Sequence, residues 1–554
     1  MITHFKSDTT KGQKMALEKE LQIKTLSSLA KVFHERILGK TYKRAYGFRG
    51  EEVCFQVAYR RIAPRYDQKN YEIKIDSEIC EYVSLSTVEF IPSMLPAYPD
   101  RLDKDYITSK PTLFPDALVP LKSTAVSAAA YNWRSLWVSV KLPENIEIRD
   151  YPVVISFIRK GKTCAKTCFT VSVRPEILPK NDFIFTQWFY CDCIADVHNV
   201  PVFSEKHWCL IEKYMRLAAE HGMNMILTPV LTPPLDTAVG SERQTVQLVG
   251  VTKNDNGYEF DFSLLGRFIE TAKRCGIENF EINHFFTQWG AKFTPKVVAK
   301  VNGKSKKIFG WNVSSTSEEY ARFLSALIPK LIAFFESVGT PREKLYFHVS
   351  DEPYEKDIEQ YNYVSDLLRP LIEECHHIDA LSSLSFYKKG LISTPVVPTN
   401  HIHPFIDEGV SELWCYYCCS QPQKVSNRFF ALPSPRTRAI GVQMYKYGIK
   451  GFLHWGYNFY YSQFSTRKID PWRESDSGEA FPSGDPFSVY PYLDGAIPSL
   501  RQKVFRDALN DMRLLSLAEK KIGKEKLVAE LDRIMGEPVR FDTCPESERF
   551  FDEL

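Results

Sequence analysis

The feature that most constrains this chain is an alternation of short apolar runs with amphipathic segments through its middle. Strand-like runs at 183–190 and 223–230 flank a segment in which Trp208, Ile211 and Met215 recur every three to four positions. That spacing marks one face of a helix. Strands that alternate with helices form parallel sheets. About eight such strands fit a (β/α)₈ barrel, which typically has about 250 residues plus insertions.

The region before the barrel shows a different period. Val53, Phe55 and Val57 alternate with Cys54 and Gln56. Period-two alternation in short segments with turns between them predicts a β-sandwich. The same alternation recurs at 71–75, 136–140, 153–157 and 169–173.

These patterns predict an α/β chain with four parts. They are an N-terminal segment at 1–24, a β-sandwich domain at 25–178, a (β/α)₈ TIM-type barrel at 179–498, and a C-terminal helical tail at 499–554 that packs on the barrel. An open doubly wound sheet is the competing architecture, but no GxGxxG follows the first strand. The long polar stretch at 462–491 is interpreted as either a flexible excursion or a cover over a site.

Composition excludes several classes of protein. The net charge is +3 with no strongly basic patch, which argues against a nucleic-acid partner. No apolar run approaches the roughly 18 residues of a membrane helix, and the start of the chain lacks the apolar core of a signal peptide. The thirteen cysteines show no paired CxxC spacing, so reduced thiols in a cytoplasmic protein without a metal cofactor are expected.

Active sites of such barrels lie where the strands end at their carboxyl sides. Aromatic and polar residues there suit a sugar, because rings stack on its C–H face and polar groups bind its hydroxyls. The tryptophans could instead be core residues, and Arg243 could pair with a surface acid. The candidate substrate-binding residues are Trp188, Asp236, Arg243, His284, Trp289, Trp414, Tyr416, Trp455, Tyr457 and Asn458.

The stretch FHVSDEPYE at 347–355 places Asp351 and Glu352 side by side at a strand end. If both side chains enter one pocket, repulsion raises one pKa, so that one group is a general acid and the other stays an anion. Ordinary glycosidases separate their carboxylates by about 5–5.5 or 6.5–9.5 Å across the sugar, which adjacent residues hardly do. The pair therefore fits a substrate that supplies its own 2-acetamido nucleophile. The alternative is that Asp351 caps the next helix and Glu352 is a solvated first-turn acid.

Several stretches resemble glycoside hydrolase family 123, the β-N-acetylgalactosaminidases and their relatives. The segments HVSDEP and GFLHWGYN are the most specific, and the N-terminal sandwich also fits the layout of that family. The matching stretches lie at 187–208, 221–237, 242–249, 348–353, 412–419, 444–460 and 484–515.

The resemblance implies a retaining, substrate-assisted hydrolase that releases terminal β-linked N-acetylgalactosamine or a related N-acetylhexosamine. Glu352 would be the acid/base and Asp351 would orient the acetamide group. The segments around Trp414, Tyr416 and Trp455, together with Tyr457 and Asn458, would form the sugar subsite. Tyr416 or Tyr457 could donate to the acetamide oxygen. No cofactor is implied, and the partner is a carbohydrate with a terminal N-acetylhexosamine.

Two other functions remain open from the sequence. One is a carbohydrate-binding barrel that keeps the aromatic platform without turnover, against which the intact acidic pair argues. The other is a metal-dependent barrel hydrolase, because His401-Ile-His403 resembles the HxH of such enzymes. In those enzymes the histidine pair belongs to the first strand, whereas here it sits late. His348 lies inside a strand and is interpreted as a hydrogen-bonded core residue.

Overall fold

The computed structural model describes residues 20–63, 68–180, 182–545 and 547–554. Most of the predicted N-terminal segment, residues 1–19, lies outside the described residues. The first strand begins at Leu21, before the boundary expected at residue 25. The three domain boundaries stay predictions.

The described N-terminal region contains twelve strands, of which ten form the two sheets of a sandwich. They are β1 (Leu21–Ser27), β2 (Lys31–Val32), β3 (Ile37–Leu38), β4 (Arg44–Phe48), β5 (Glu52–Arg61), β6 (Gln68–Asp76), β7 (Val83–Ser93), β8 (Thr112–Pro120), β9 (Ala125–Ala129), β10 (Arg134–Lys141), β11 (Asp150–Arg159) and β12 (Lys162–Arg174). One sheet has the order β1-β5-β10-β7-β8 and the other β4-β12-β11-β6-β9, while β2 and β3 pair only with each other. Phe55 and Phe169 stack across the two sheets with ring centroids 3.9 Å apart. The alternating apolar residues of the sequence form this core, which confirms the predicted sandwich-like region.

Eight parallel strands follow and form a nearly closed barrel. They are β13 (Ile184–Gln187), β14 (Met225–Thr228), β17 (Asn279–Ile282), β20 (Leu345–Phe347), β21 (His376–Ala380), β22 (Thr394–Pro398), β23 (Trp414–Tyr416) and β24 (Gly451–His454). Their order is β13-β24-β23-β22-β21-β20-β17-β14. Asn224 joins β13 to the start of β14, because its side-chain oxygen accepts from the backbone N–H of Phe185 at 2.8 Å.

Helices lie between and after the barrel strands. They are α1 (Cys191–Val197), α2 (Glu205–Glu220), α3 (Ser263–Arg274), α4 (Glu318–Ser337), α5 (Ile358–Leu368), α6 (Leu384–Lys388), α7 (His403–Asp407), α8 (Ser434–Tyr447), α9 (Leu500–Ile522), α10 (Lys524–Met535) and α11 (Arg549–Glu553). Ser204 caps α2 by accepting from the backbone N–H of His207. Among the described residues, no helix is both long and apolar enough to cross a membrane.

Two small sheets are inserted outside the eight-stranded barrel. The strands β15 (Gly250–Asn254), β16 (Gly257–Asp261), β18 (Val297–Val301) and β19 (Lys304–Phe309) form a small sheet, and β25 (Val489–Tyr492) pairs with β26 (Gly495–Pro498). The long polar stretch at 462–491 bridges two parts of the molecule. The carboxylate of Asp476 accepts from the backbone of Met94 and Leu95 in the sandwich region, while Phe464 reaches the barrel mouth.

The C-terminal helix α9 packs closely on α8 of the barrel. Gly441 makes this approach possible, because a Cβ at that position would lie 2.1 Å from the backbone oxygen of Ala508. Helix α9 is thus part of the barrel's helical layer.

We expect Gly441→Ala to lower the melting temperature markedly, because the new methyl group meets rigid helix backbone. Overpacking of this kind costs about 1–3 kcal/mol or more. Gly266→Ala in α3 is the matched control, because its Cβ would meet only the ring end of Phe334, at 3.2 Å. Thermal unfolding measures both. Equal melting temperatures for the two variants would show that the α8–α9 contact yields easily.

Candidate active site

The carboxyl end of β20 carries the acidic pair and turns sharply. The strand ends at Phe347, and four residues later the backbone of Asp351 is held by the N–H of Trp289, 2.9 Å from its carbonyl oxygen. Glu352 then adopts a left-handed φ of +43°. This breaks the alternation of side chains, which in a regular strand would send the two carboxyls to opposite faces.

Backbone strain is found around the same mouth. Besides Glu352, the residues Asp236, Trp289, Phe464 and Ser465 have left-handed φ values of +40°, +59°, +57° and +55°. Such conformations are uncommon for residues other than glycine. They persist where surrounding contacts enforce them, which is typical of functional sites.

The electrostatics of the pair follow from burial and proximity. Burial raises the pKa of Asp351 well above its usual range, and the charge of Glu352 raises it further. Burial also raises the pKa of Glu352, against the hydrogen bond from Tyr416. The Tyr416 hydroxyl donates to Oε1 of Glu352 at 2.5 Å, so Oε2 is the oxygen left to carry a proton. The two carboxyls resist joint ionisation.

An ion chain inside the barrel lies beneath this pair. His348 lies 2.8 Å from Oε1 of Glu281 through Nε2 and 3.1 Å from Oδ1 of Asp379 through Nδ1. Burial alone would lower the pKa of His348, but the hydrogen bonds to both carboxylates outweigh it and raise the pKa to about 9. The imidazole is therefore protonated at neutral pH and donates from both nitrogens. The interpretation of His348 as a hydrogen-bonded interior residue agrees with these contacts.

Glu281 also connects the first barrel strand to this ion chain. Its Oε1 also accepts from the indole N–H of Trp188 at 2.7 Å, and its Oε2 accepts from the hydroxyl of Thr186 at 2.6 Å. Trp188 thus uses its only polar group internally, and its ring lies edge-on to His284 with centroids 5.3 Å apart.

His284 shares the floor of the site with His348. The two rings stack with centroids 4.1 Å apart and planes inclined by 20°. Burial lowers the pKa of His284 well below its usual range, and the positive charge of His348 lowers it further, so the ring is neutral. Both of its nitrogens are buried without a hydrogen-bond partner among the described residues.

The set His284, His348 and Asp379 is the group of potential metal ligands found in the described part of the chain. Its geometry favours a hydrogen-bonded chain over a metal centre. Stacked rings direct their in-plane lone pairs side by side rather than toward one point, and His348 already uses both nitrogens on carboxylates. The HxH pair lies elsewhere: His403 is 3.6 Å from Asp542 and packs against Tyr447 and Phe541.

The rim beside the pair is formed by the loops after β14 and β17 and by the polar stretch at 462–491. Oδ2 of Asp236 accepts from the backbone N–H of Phe464 at 3.1 Å, and the Phe464 ring meets Trp289 edge-on with centroids 5.9 Å apart. Burial raises the pKa of Asp236 to about 6, although Arg243 opposes the rise. The charge of Asp236 also contributes to raising the pKa of Asp351. The polar stretch therefore covers part of this rim.

Trp455 follows β24 at the same end of the barrel. Its indole N–H donates to Oδ2 of Asp485 at 2.9 Å, and its ring is partly exposed between Phe459 and Phe481. Asp485 itself is fully buried, and burial raises its pKa to about 7. A partly exposed indole held in this way offers a face for stacking.

Four of the sequence-based candidates have internal roles. Arg243 is the clearest: its guanidinium forms a two-point ion pair with the buried carboxylate of Asp192 at 2.8 and 2.7 Å, rather than with a surface acid. It also lies over the rings of Tyr190, Phe459 and Tyr461. Its donors are consequently turned into the core.

The other three candidates lie in or after the last two barrel strands. Trp414 begins β23 instead of ending it, and it packs against Gly451, the first residue of β24. The hydroxyl of Tyr457 donates to the backbone oxygen of Tyr214 at 3.0 Å. The Asn458 side chain pairs with both backbone groups of Tyr190, at 2.9 and 3.0 Å. The polar groups of Tyr457 and Asn458 are thus satisfied within the fold.

Sequence reasoning missed the two acids of the ion chain. Glu281 and Asp379 lie inside the strands β17 and β21 and are fully buried. The available signal is an acid inside an otherwise apolar strand, since such a residue is rarely buried without a partner. Which partner it has depends on residues far away in sequence.

An eight-stranded parallel barrel with carboxyls of raised pKa at its strand ends has the architecture of a barrel hydrolase. Comparison with known families makes the class specific. The profile of the glycoside hydrolase 123 catalytic domain matches residues 188–518, so this chain belongs to glycoside hydrolase family 123. The predicted family is confirmed.

A solved structure agrees with this chain in fold. A family 123 glycoside hydrolase from Clostridium perfringens is 13% identical and covers 93% of this chain and 91% of its own, with a TM-score of 0.71. A family 5 mannosidase from Rhizomucor miehei is 11% identical and covers 62% of this chain and 94% of its own, but its TM-score of 0.34 supports no argument. None of the curated proteins matches the chain.

We expect Arg243→Met to destabilise the protein, because it leaves the Asp192 carboxylate buried without its partner. Breaking a buried pair in this way costs about 3–5 kcal/mol. The double variant with Asp192→Leu removes both charges and should recover much of the lost melting temperature. If Arg243→Met alone left the melting temperature unchanged but raised KM, Arg243 would instead be a substrate-binding residue.

Proposed function

We propose that this protein releases terminal β-linked N-acetylgalactosamine, or a related N-acetylhexosamine, by a retaining, substrate-assisted mechanism. The observation that carries the proposal is the adjacency of Asp351 and Glu352 on a turn where Glu352 has a left-handed backbone. Two neighbouring carboxyls on one loop can hardly flank a sugar ring at the separations that ordinary glycosidases use. They can serve a substrate that carries its own acetamide nucleophile.

The two carboxyls are assigned different roles. Glu352 has a raised pKa and one oxygen occupied by the Tyr416 hydroxyl, which suits a group that holds a proton and gives it to a leaving oxygen. The positive charge of His348 opposes the rise that burial and the charge of Glu352 produce in the pKa of Asp351, which stays raised. We assign Asp351 the anionic role from the resemblance to family 123. General acid catalysis works best when the pKa of the acid lies near the working pH.

The reaction follows from these roles. Glu352 transfers its proton to the glycosidic oxygen as the bond from that oxygen to the anomeric carbon breaks. The acetamide oxygen attacks the same carbon from the opposite face, while Asp351 accepts the hydrogen bond of the amide N–H and stabilises the positive charge of the resulting ring. Water then gives a proton to Glu352 and attacks the anomeric carbon. This step opens the ring that the acetamide group formed with that carbon and restores the acetamide. Two inversions leave the configuration retained.

Residues at the mouth would hold the sugar. Trp289 and Trp455 are partly exposed aromatic side chains at strand ends, and Asp236 is a partly exposed carboxyl whose charge acts on Asp351. We assign them to the sugar subsite, with His284 and Trp188 as its buried floor. The Clostridium perfringens relative was studied for the details of glycolipid glycan hydrolysis, and its similar fold is compatible with a glycan substrate here.

The first test compares chromogenic β-N-acetylgalactosaminide, β-N-acetylglucosaminide and plain β-galactoside. We expect the acetamido sugars to be cleaved and the plain galactoside to be left almost intact. Glu352→Gln should lose about 10²–10⁴-fold in kcat, the usual contribution of general acid catalysis. Asp351→Asn should also lose most turnover, because the charge that stabilises the intermediate is gone.

Glu355→Gln is the matched control, because Glu355 is an exposed acid three residues further along the chain. It should keep the kcat of the unaltered protein. Equal cleavage of the plain galactoside would refute the acetamide mechanism. Full activity of either catalytic variant would refute the role assigned to that residue.

The second test uses the pH profile of kcat/KM. The acid must be protonated, so activity falls as pH rises through the pKa of Glu352. The Tyr416 hydroxyl lowers that pKa; its removal in Tyr416→Phe should therefore move the alkaline limb to higher pH.

Tyr417→Phe is the control for this shift, because the neighbouring Tyr417 hydroxyl is buried without a hydrogen-bond partner among the described residues. Its profile should match that of the unaltered protein. A limb that stays in place in Tyr416→Phe, or that moves to lower pH, would contradict the assignment of the alkaline limb to Glu352.

A further inference from the structure

We propose that Asp379, which does not touch the substrate in the mechanism above, is the positioning residue that sets the placement of Asp351 and Glu352. Asp379 lies near the end of β21 on the neighbouring barrel strand and is fully buried. The inference rests on the proposed function, because it concerns how that same carboxyl pair is held.

The side chain of Asp379 accepts backbone hydrogen bonds directly after the point where the pairing between two strands ends. The strands β20 and β21 pair at Tyr346 with His376 and at Phe347 with His377. Beyond this point the Asp379 carboxylate accepts from the backbone N–H of Val349, at 3.1 and 3.2 Å to its two oxygens. It also accepts from the N–H of Ser350 at 3.4 Å. For the two residues before the acidic pair, a side-chain carboxylate thus replaces the backbone of the neighbouring strand as the hydrogen-bond acceptor.

The same carboxylate has three further contacts besides the backbone donors. His348 donates to Oδ1 at 3.1 Å, the Tyr361 hydroxyl donates to Oδ2 at 2.6 Å, and Nε2 of His377 lies 3.3 Å from Oδ2. Burial alone would raise the pKa of Asp379, but the hydrogen bonds from His348 and His377 hold it well below its usual range. The group therefore remains a carboxylate, which only accepts hydrogen bonds.

The segment is held from the other side as well. The hydroxyl of Ser350 donates to the backbone oxygen of Thr287 at 2.9 Å, and the N–H of Trp289 donates to the carbonyl of Asp351. Residues 349–351 therefore lie between contacts from both neighbouring strands. A displacement of catalytic groups by about 1 Å can lower the rate about 10²-fold. The contacts that hold residues 349–351, called the clamp here, therefore matter for turnover.

The test is Asp379→Asn in the full-length protein. The amide keeps the size of the side chain but turns an N–H₂ toward donors that now lack an acceptor. We expect kcat to fall about 100-fold or more on whichever glycoside the unaltered protein cleaves, while KM changes less than about threefold. Hydrogen exchange at 348–352 should become faster.

Tyr361→Phe is the matched control. It also removes a hydrogen bond from Asp379 but leaves the backbone donors of Val349 and Ser350 untouched. We expect kcat near that of the unaltered protein, with a lowered melting temperature. A purely structural role of Asp379 predicts lowered melting temperatures in both variants and an unchanged kcat in both.

Asp379→Glu covers the case in which the asparagine variant fails to fold, because it keeps the charge that His348 requires and displaces the oxygens by one methylene. A kcat within threefold of the unaltered protein in either Asp379 variant overturns the proposal. So does unchanged exchange at 348–352. The exchange measurement needs no turnover, so inactivity of the unaltered protein on N-acetyl sugars would refute the proposed function and leave the clamp separately testable.

Discussion

The buried ion chain Glu281–His348–Asp379 is the interaction on which the barrel mouth depends. Charges without water are costly unless they are paired and hydrogen-bonded, and here two carboxylates enclose one imidazolium. Through Trp188 and Thr186 the chain also reaches the first barrel strand. Four strands thus converge on one set of charges. The position of the acidic pair above them follows from that convergence.

Outside the barrel, a second set of buried charges ties the sandwich to the C-terminal helix. Arg501 of α9 forms a two-point pair with Asp116 of β8, and the hydroxyl of Tyr490 donates to the same carboxylate. Lys31 donates to the backbone oxygens of Phe430 and Leu432 on the barrel side. The sandwich therefore packs against the barrel and its C-terminal helix through satisfied polar groups.

Periodicity was sufficient to predict the eight barrel strands and the sandwich, because buried faces impose a period of two or 3.6 on the residues that form them. The acidic pair was found in the same way, as an anomaly at a strand end. Trp414 was misplaced because strand boundaries shift by a few residues, and that shift moves a side chain from one end of the barrel to the other. Arg243 was assigned to substrate because its partner, Asp192, is distant in sequence.

The sequence by itself determined the fold class, the family and the adjacency of Asp351 and Glu352, since each of these is carried by local pattern. The tertiary structure alone decided which buried groups surround the pair. Glu281 and Asp379 lie in two different strands and His348 directly follows a third, and only closure of the barrel brings their charges within hydrogen-bond distance. Pairing between residues that are distant in sequence does not change the hydrophobic periodicity, because that periodicity depends only on neighbouring residues.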